Sequence, residues 1–208
     1  IEEIEHSLVV VKNQLDLLHR IFHTFNSHLY YHGTPIEQLQ TLNRAAEFVQ
    51  QTKELETRFM NIVKRLKLAF DICSGSESIS ETEKDEIHFY LAVRSIIYKL
   101  TKGTAPDASQ MNEKVKTMIQ EAIESEGVEE IFKLGEDEAQ EIDLFSDDYL
   151  AKLDKIKLPN TKFKLLQKVL KQAIDRMKQV NKVMGIDFSK RLEAIVQKYN
   201  ERKEGDVL

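Results

Sequence analysis

Residues 54–102, ELETRFMNIVKRLKLAFDICSGSESISETEKDEIHFYLAVRSIIYKLTK, decide the fold. Phe59, Ile62, Val63, Leu66, Ala69, Phe70 and Cys73 recur at three- and four-residue spacing, and Arg58, Lys64, Arg65 and Lys67 fall largely outside that stripe. This spacing predicts an amphipathic helix facing a core. Gly75 stands just past the last periodic residue, where a left-handed C-terminal cap needs a residue without Cβ. Ser80 precedes Glu83 by three, the capping-box spacing that opens a second helix. From Ile87 to Leu100 apolar residues go nearly all the way round, so that helix is expected to be buried on most sides. The run is too long for a strand. Together the two helices predict a buried hairpin, with Phe70, His88, Tyr90, Arg94 and Tyr98 among its structural residues. His88 and Arg94 are expected to find a carboxylate or backbone partner, because an unpaired buried charge costs several kcal/mol.

The rest of the chain reads the same way. Only 7 Gly and 3 Pro among 208 residues leave few turns, and 41% hydrophobic with 31% charged residues is the balance of a globular chain. The expectation is an all-α bundle of about seven to eight helices with little or no sheet, divided into N-terminal helices over 1–53 and a helical domain over 54–208. The single Cys73 excludes an intrachain disulfide and fits a cytoplasmic protein. No run reaches the roughly 18 apolar residues that would span a bilayer, so no membrane contact is expected. The chain begins at Ile1 within a helical pattern, which is the reading of a fragment of a longer protein.

Residues 3–31 predict one long helix, with Ile4, Leu8, Val11, Leu15, Leu18, Phe22, Phe25 and Leu29 on a stripe. Gly33 ends it, and Thr34, Pro35 and Glu37 open the next helix, through Val49. His19 and His23, like His28 and His32, are four apart. No further ligand accompanies either pair, and ordinary polar-face histidines are expected, with no metal. A helix bearing Met111, Val115, Met118, Ile119, Ala122 and Ile123 follows a turn at 103–106, with Asp107 or Ser109 as its cap, and residues 125–146 read as a loop. Ser146 caps a helix that Pro159 ends. A long helix from Thr161 turns Phe163, Leu166, Val169, Leu170, Ile174, Met177 and Val180 inward and its lysines mostly outward. Gly185 closes it, and a last helix starts near Asp187 or Ser189 and carries Phe188, Leu192, Ile195, Val196 and Tyr199.

The net charge of −5 hides a segregation. Residues 121–154 hold 13 acidic against 2 basic residues, a net of −11, and residues 155–203 hold 14 basic against 4 acidic, a net of +10. The two blocks neutralise one another, or the basic one faces an acidic partner. Lys162, Lys164, Lys168, Lys171, Lys178 and Lys182 are the candidates for contact with duplex DNA or a partner protein, since lysines on a helix track phosphates without reading sequence. Phe163 is the one aromatic residue among them and belongs to the inward stripe, so the interleaved aromatic face that single-strand stacking requires is not present. The sequence contains no phosphate loop, dinucleotide fingerprint, nucleophile elbow or CxxC pair, so no catalytic residue, cofactor site or metal site is assigned in this segment.

The stretch VKRLKLAFDICSGSESISETEKDEIHFYLAVRSIIYKLTKG, Val63 to Gly103, resembles the C-terminal helical region of the restriction subunit of type I restriction-modification enzymes. The similarity continues through SEGVEEIFKL at 125–134, DLFSDDYLAKLDKIKLPNTKFKLLQKVLKQAI at 143–174 and FSKRLEAIVQKYNER at 188–202. The resemblance implies a helical module that docks the subunit on the methyltransferase and specificity subunits. It also implies a parent chain that is an ATP-dependent DNA translocase and endonuclease, using ATP and Mg2+ outside this segment. A DNA-contacting domain and a stand-alone scaffold are the alternatives.

Overall fold

The structure, a computed structural model, describes residues 1–102, 113–125, 151 and 154–204. The turn at 103–106 with its caps, all but the first residue of the loop read over 125–146, and most of the Ser146-capped helix lie outside the described residues; Ser125 itself ends a helix. Among the described residues there are eight helices and no strand: α1 (Glu2–Ile21), α2 (His28–His32), α3 (Pro35–Val49), α4 (Lys53–Cys73), α5 (Glu81–Lys102), α6 (Glu113–Ser125), α7 (Pro159–Val180) and α8 (Lys182–Asn200). The chain is all-α, as its periodicity predicts.

The helix starts follow the expected chemistry. The Thr34 hydroxyl accepts from the Glu37 N–H and the Glu37 carboxylate accepts from the Thr34 N–H, a complete capping box with Pro35 inside the first turn. Ser80 and Glu83 repeat the arrangement at 3.1 and 2.9 Å. Lys12 of α1 then reaches both oxygens of Glu83, at 2.5 and 2.7 Å, tying α1 to the start of α5. This ammonium, followed by the Ser80 N–H, holds the Glu83 carboxyl below the usual carboxylate range.

The all-round apolar pattern of α5 is realised as burial. Ile87, Phe89, Tyr90, Leu91, Val93, Ile96, Ile97 and Leu100 all lie inside, and α5 packs on α3, α4, α6 and α7. The other arm of the hairpin, α4, makes its most extensive contact with α1. Phe70 and Arg94 are buried, whereas His88 and Tyr98 are half-buried. Arg94 is met by an aromatic residue: its guanidinium lies 4.7 Å from the Tyr98 ring centroid and donates to the Tyr98 hydroxyl at 3.4 Å. Desolvation pushes the His88 imidazole pKa down, against the opposing pull of Asp85 and Glu81.

Four local expectations are corrected. The helix predicted over 3–31 breaks after Ile21 and resumes at His28 as α2, with Ser27 at its N-cap and Asn26 accepting from the His28 N–H. The break carries Phe22 inward, where its centroid lies 5.4–5.9 Å from those of Phe25, Phe48, Phe59, Phe89 and Tyr90. Gly75 does not take the left-handed cap, because α4 ends on Ser74 in a right-handed conformation and a Cβ on Gly75 would meet open space. Gly185 does not close the long helix. Asn181 ends α7 and opens α8, accepting from the Met184 N–H at 3.1 Å, and Gly185 is buried inside α8. A Cβ there would lie 2.9 Å from the backbone N and Cα of Lys178, so the missing side chain lets the two helices meet at the corner. Finally, Val180, expected inward, exposes 92% of its surface at that corner.

Phe22→Ala is expected to cost about 3–5 kcal/mol of unfolding free energy in a urea titration, since it removes one ring from five ring contacts. A loss under about 1 kcal/mol would remove Phe22 from the centre of the core.

Candidate functional site

Two features of the C-terminal helices stand apart from the apolar core: a buried ionic junction and an exposed corner. The junction begins with a helix that cannot cap itself. Leu158 precedes α7 and offers no side-chain acceptor, and Pro159 at the first position lacks an N–H. The free donors of the first turn are satisfied by Glu47 at the C-terminal end of α3. One Glu47 oxygen accepts from the Asn160 N–H and Nδ2 at 2.8 and 2.9 Å, and the other from the Thr161 N–H and Oγ1 at 3.0 and 3.2 Å. A carboxylate at this place also opposes the positive end of the helix dipole.

One turn further on, Lys164 donates to Glu56 of α4 at 2.9 Å, and both side chains are buried. Arg202, just beyond α8, lies 3.4 Å from the second oxygen of Glu56. Its other donors go to the Gln50 carbonyl, from Nε at 3.1 Å and also from Nη2, and to the Tyr199 carbonyl at 3.0 Å. Tyr199 completes the set. Its hydroxyl donates to Asn160 Oδ1 at 2.8 Å, one face of its ring carries the Arg202 guanidinium at 3.7 Å, and the ring stacks with Phe163 at 3.8 Å and 8°. Burial pushes the Lys164 ammonium pKa down, with Glu56 opposing, and pushes the Tyr199 hydroxyl pKa up.

Lys164 was expected on the outer, lysine-bearing face and is 7% exposed instead. The helix is turned so that Thr161, Lys164, Leu165 and Val169 face inward, because Glu56 and Glu47 fix its first two turns. The remaining candidate lysines are dispersed. Lys162 lies 3.5 Å from Asp154, Lys168 is half-buried, Lys178 donates to Ser189 at 3.3 Å, and Lys171 and Lys182 are exposed. Sequence reading missed Glu47 and Glu56, whose partners lie 113 and 108 residues away. One signal was present: Glu56 stands three residues before Phe59 and seven before Val63, a charged residue on the core-facing stripe.

The histidine pairs do not converge. His19 Nε2 lies 2.7 Å from Glu86, His23 Nδ1 donates to the Arg20 carbonyl, and the His28 and His32 rings sit 4.6 Å apart. Among the described residues no three His, Cys, Asp or Glu side chains form a group that could hold a metal ion, and no helix is long and apolar enough to cross a membrane.

The second feature is the corner between α7 and α8. Val180, Val183, Met184, Ile186 and Phe188 are each exposed there, Phe188 with the Arg191 guanidinium 5.6 Å from its ring centroid, and Ile195 is exposed further along α8. Between the same helices a cleft of about 390 Å³ is lined by Lys171, Ser189, Leu192, Glu193 and Val196. Thus α8 is fastened at its end by Tyr199 and Arg202 and leaves much of its apolar surface to solvent.

Removing Glu56 leaves Lys164 and Arg202 buried without their shared counter-charge, so Glu56→Ala is expected to cost about 3–5 kcal/mol in chemical denaturation. Lys164→Met, which leaves Glu56 with Arg202, should cost less; an equal or larger loss would show that Glu56 is not the centre of the junction.

All 208 residues match the family described as type I restriction enzyme HindI endonuclease subunit-like, C-terminal. Over 152 residues the chain is 26% identical to the type I restriction enzyme HindI endonuclease subunit of Haemophilus influenzae, covering 73% of this chain and 14% of that protein. Over 117 residues it is 24% identical to the putative type I restriction enzyme MjaIXP endonuclease subunit of Methanocaldococcus jannaschii, covering 56% of this chain and 11% of that protein. The chain therefore corresponds to a small part of the length of these relatives. No solved structure matches it.

Proposed function

From the premise that this chain belongs to the family of C-terminal regions of HindI-like type I restriction enzyme endonuclease subunits, we propose that it is the non-catalytic docking module of such a subunit. It joins the subunit to the methyltransferase and specificity subunits of a restriction complex. In this reading the parent chain is an ATP-dependent DNA translocase and endonuclease of the cytoplasm, and ATP and Mg2+ act in its other parts.

One observation carries the reading. The buried ionisable groups of the C-terminal helices are occupied in pinning helix ends, while α8, held firmly at Tyr199 and Arg202, presents large apolar side chains outward. A helix that is anchored yet incompletely covered is built for contact with another surface. The chemistry that a hydrolase or nuclease would need from Glu47, Glu56 and Lys164 is already engaged in interhelical bonds. The alternative of a DNA-contacting lysine face loses Lys164 to the interior.

Competition tests the proposal. The 208-residue chain, added in excess to a restriction complex reconstituted from its native subunits, should lower DNA cleavage in proportion to the endonuclease subunit it displaces from the methyltransferase–specificity core. Full cleavage at saturating chain, with the endonuclease subunit still bound, would contradict docking.

A further inference from the structure

We infer that the α7–α8 corner is the docking surface itself and that its occupant is a protein surface with an apolar groove rimmed by carboxylates; this rests on the docking reading above. Hydrogen bonds span the corner. Asn181 ends α7, its N–H donating to the Met177 carbonyl at 2.7 Å, and begins α8, its carbonyl accepting from the Gly185 N–H at 3.0 Å and its side chain from the Met184 N–H. Lys178 is bound across the corner to Ser189, and Gly185 permits the close approach. Five apolar side chains are thus held on a fixed scaffold, and Val180 and Val183 expose 92% and 82% of their surfaces. Preorganised side chains lose little conformational freedom on binding, which favours a specific contact.

Charge chooses among occupants. Residues 175–193 carry five basic residues, Arg176, Lys178, Lys182, Lys190 and Arg191, against Asp175, Asp187 and Glu193, a net of +2, and Lys178 and Arg191 lie 3.9 and 2.9 Å from Asp175 and Asp187, which leaves Lys182 and Lys190 to set the sign of the exposed rim. A second copy of this chain, joined about a two-fold axis, would set the same basic rim against itself and meet repulsion. Duplex DNA would satisfy the lysines, yet its phosphates give Val180, Val183 and Ile186 nothing to bury against. A protein groove with an apolar floor and acidic edges satisfies both halves of the surface.

The test measures binding of the 208-residue chain to the purified methyltransferase–specificity core, with Val183→Asp plus Met184→Asp in one variant and Lys182→Glu plus Lys190→Glu in another. These positions are exposed, so the circular dichroism and urea midpoint of both variants should stay at the parent values. The apolar variant should bind at least about tenfold more weakly, as loss of central apolar contacts does. The charge variant should bind more weakly at low salt and show a flatter salt dependence. Equal binding by the parent chain and the apolar variant overturns the assignment of the corner and leaves docking standing. Failure of the parent chain itself to bind the core overturns both. If the apolar substitutions instead abolish self-association of the chain, or its binding to a duplex oligonucleotide, the occupant is a second copy or DNA, and the protein-groove assignment is wrong.

Discussion

The Glu56 carboxylate sets the terms for the C-terminal half of the molecule. Taking one carboxylate out of water on the inner face of α4 is tolerable only with a close counter-charge and further hydrogen bonds. Two buried cations supply them, Lys164 from the second turn of α7 and Arg202 from beyond α8, with the more exposed Lys53 of α4 itself 3.9 Å away. Arg202 also reaches the Gln50 carbonyl near the end of α3, so a single cluster joins α3, α4, α7 and the end of α8. Burying such a pair adds little net stability compared with apolar packing. Its consequence is registry: α7 can be rotated or slid only by separating charges in a dry place.

That registry bears on how the surface is displayed. The first turn of α7 is fixed by Glu47, its second by Glu56, and the end of α8 by the contacts of Tyr199 with Phe163 and Asn160. Between these fixed points lies the corner, where Asn181 and Gly185 allow the chain to reverse tightly. The apolar side chains at the corner therefore owe their placement to polar contacts at the far ends of both helices. Bundle and corner differ: the aromatic knot around Phe22 and the buried α5 hold the fold, and the apolar side chains of the corner stay exposed.

Much of the fold was legible in the sequence because the chain is locally consistent. The capping boxes at Thr34 and Ser80 were readable from spacing alone, and the all-round apolar pattern of α5 could mean only burial. What could not be read depends on partners far along the chain. The stripe of α1 runs smoothly through Phe22, and only the pocket made by Phe48, Phe59 and Phe89 explains why the helix stops there. Lys164 looks like its neighbouring lysines until Glu56 is placed opposite it. Gly185 reads as a helix terminator because glycine commonly is one, and its role in close packing appears only once Lys178 is seen against it. The candidate surface was half legible. Its lysines were visible as a basic block, whereas Val180 was assigned to the core by a period that does not know which face another helix covers.

The central claim is that polar junctions hold α7 and α8 so that their corner, and not the rest of the bundle, meets the complex. Amide hydrogen exchange along the chain, free and bound to the methyltransferase–specificity core, addresses it directly. The account predicts new protection concentrated at residues 180–196 on binding, with the amides around Tyr199 already slow in the free chain. Protection confined to the outer faces of α1 and α4, with 180–196 unchanged, would contradict it.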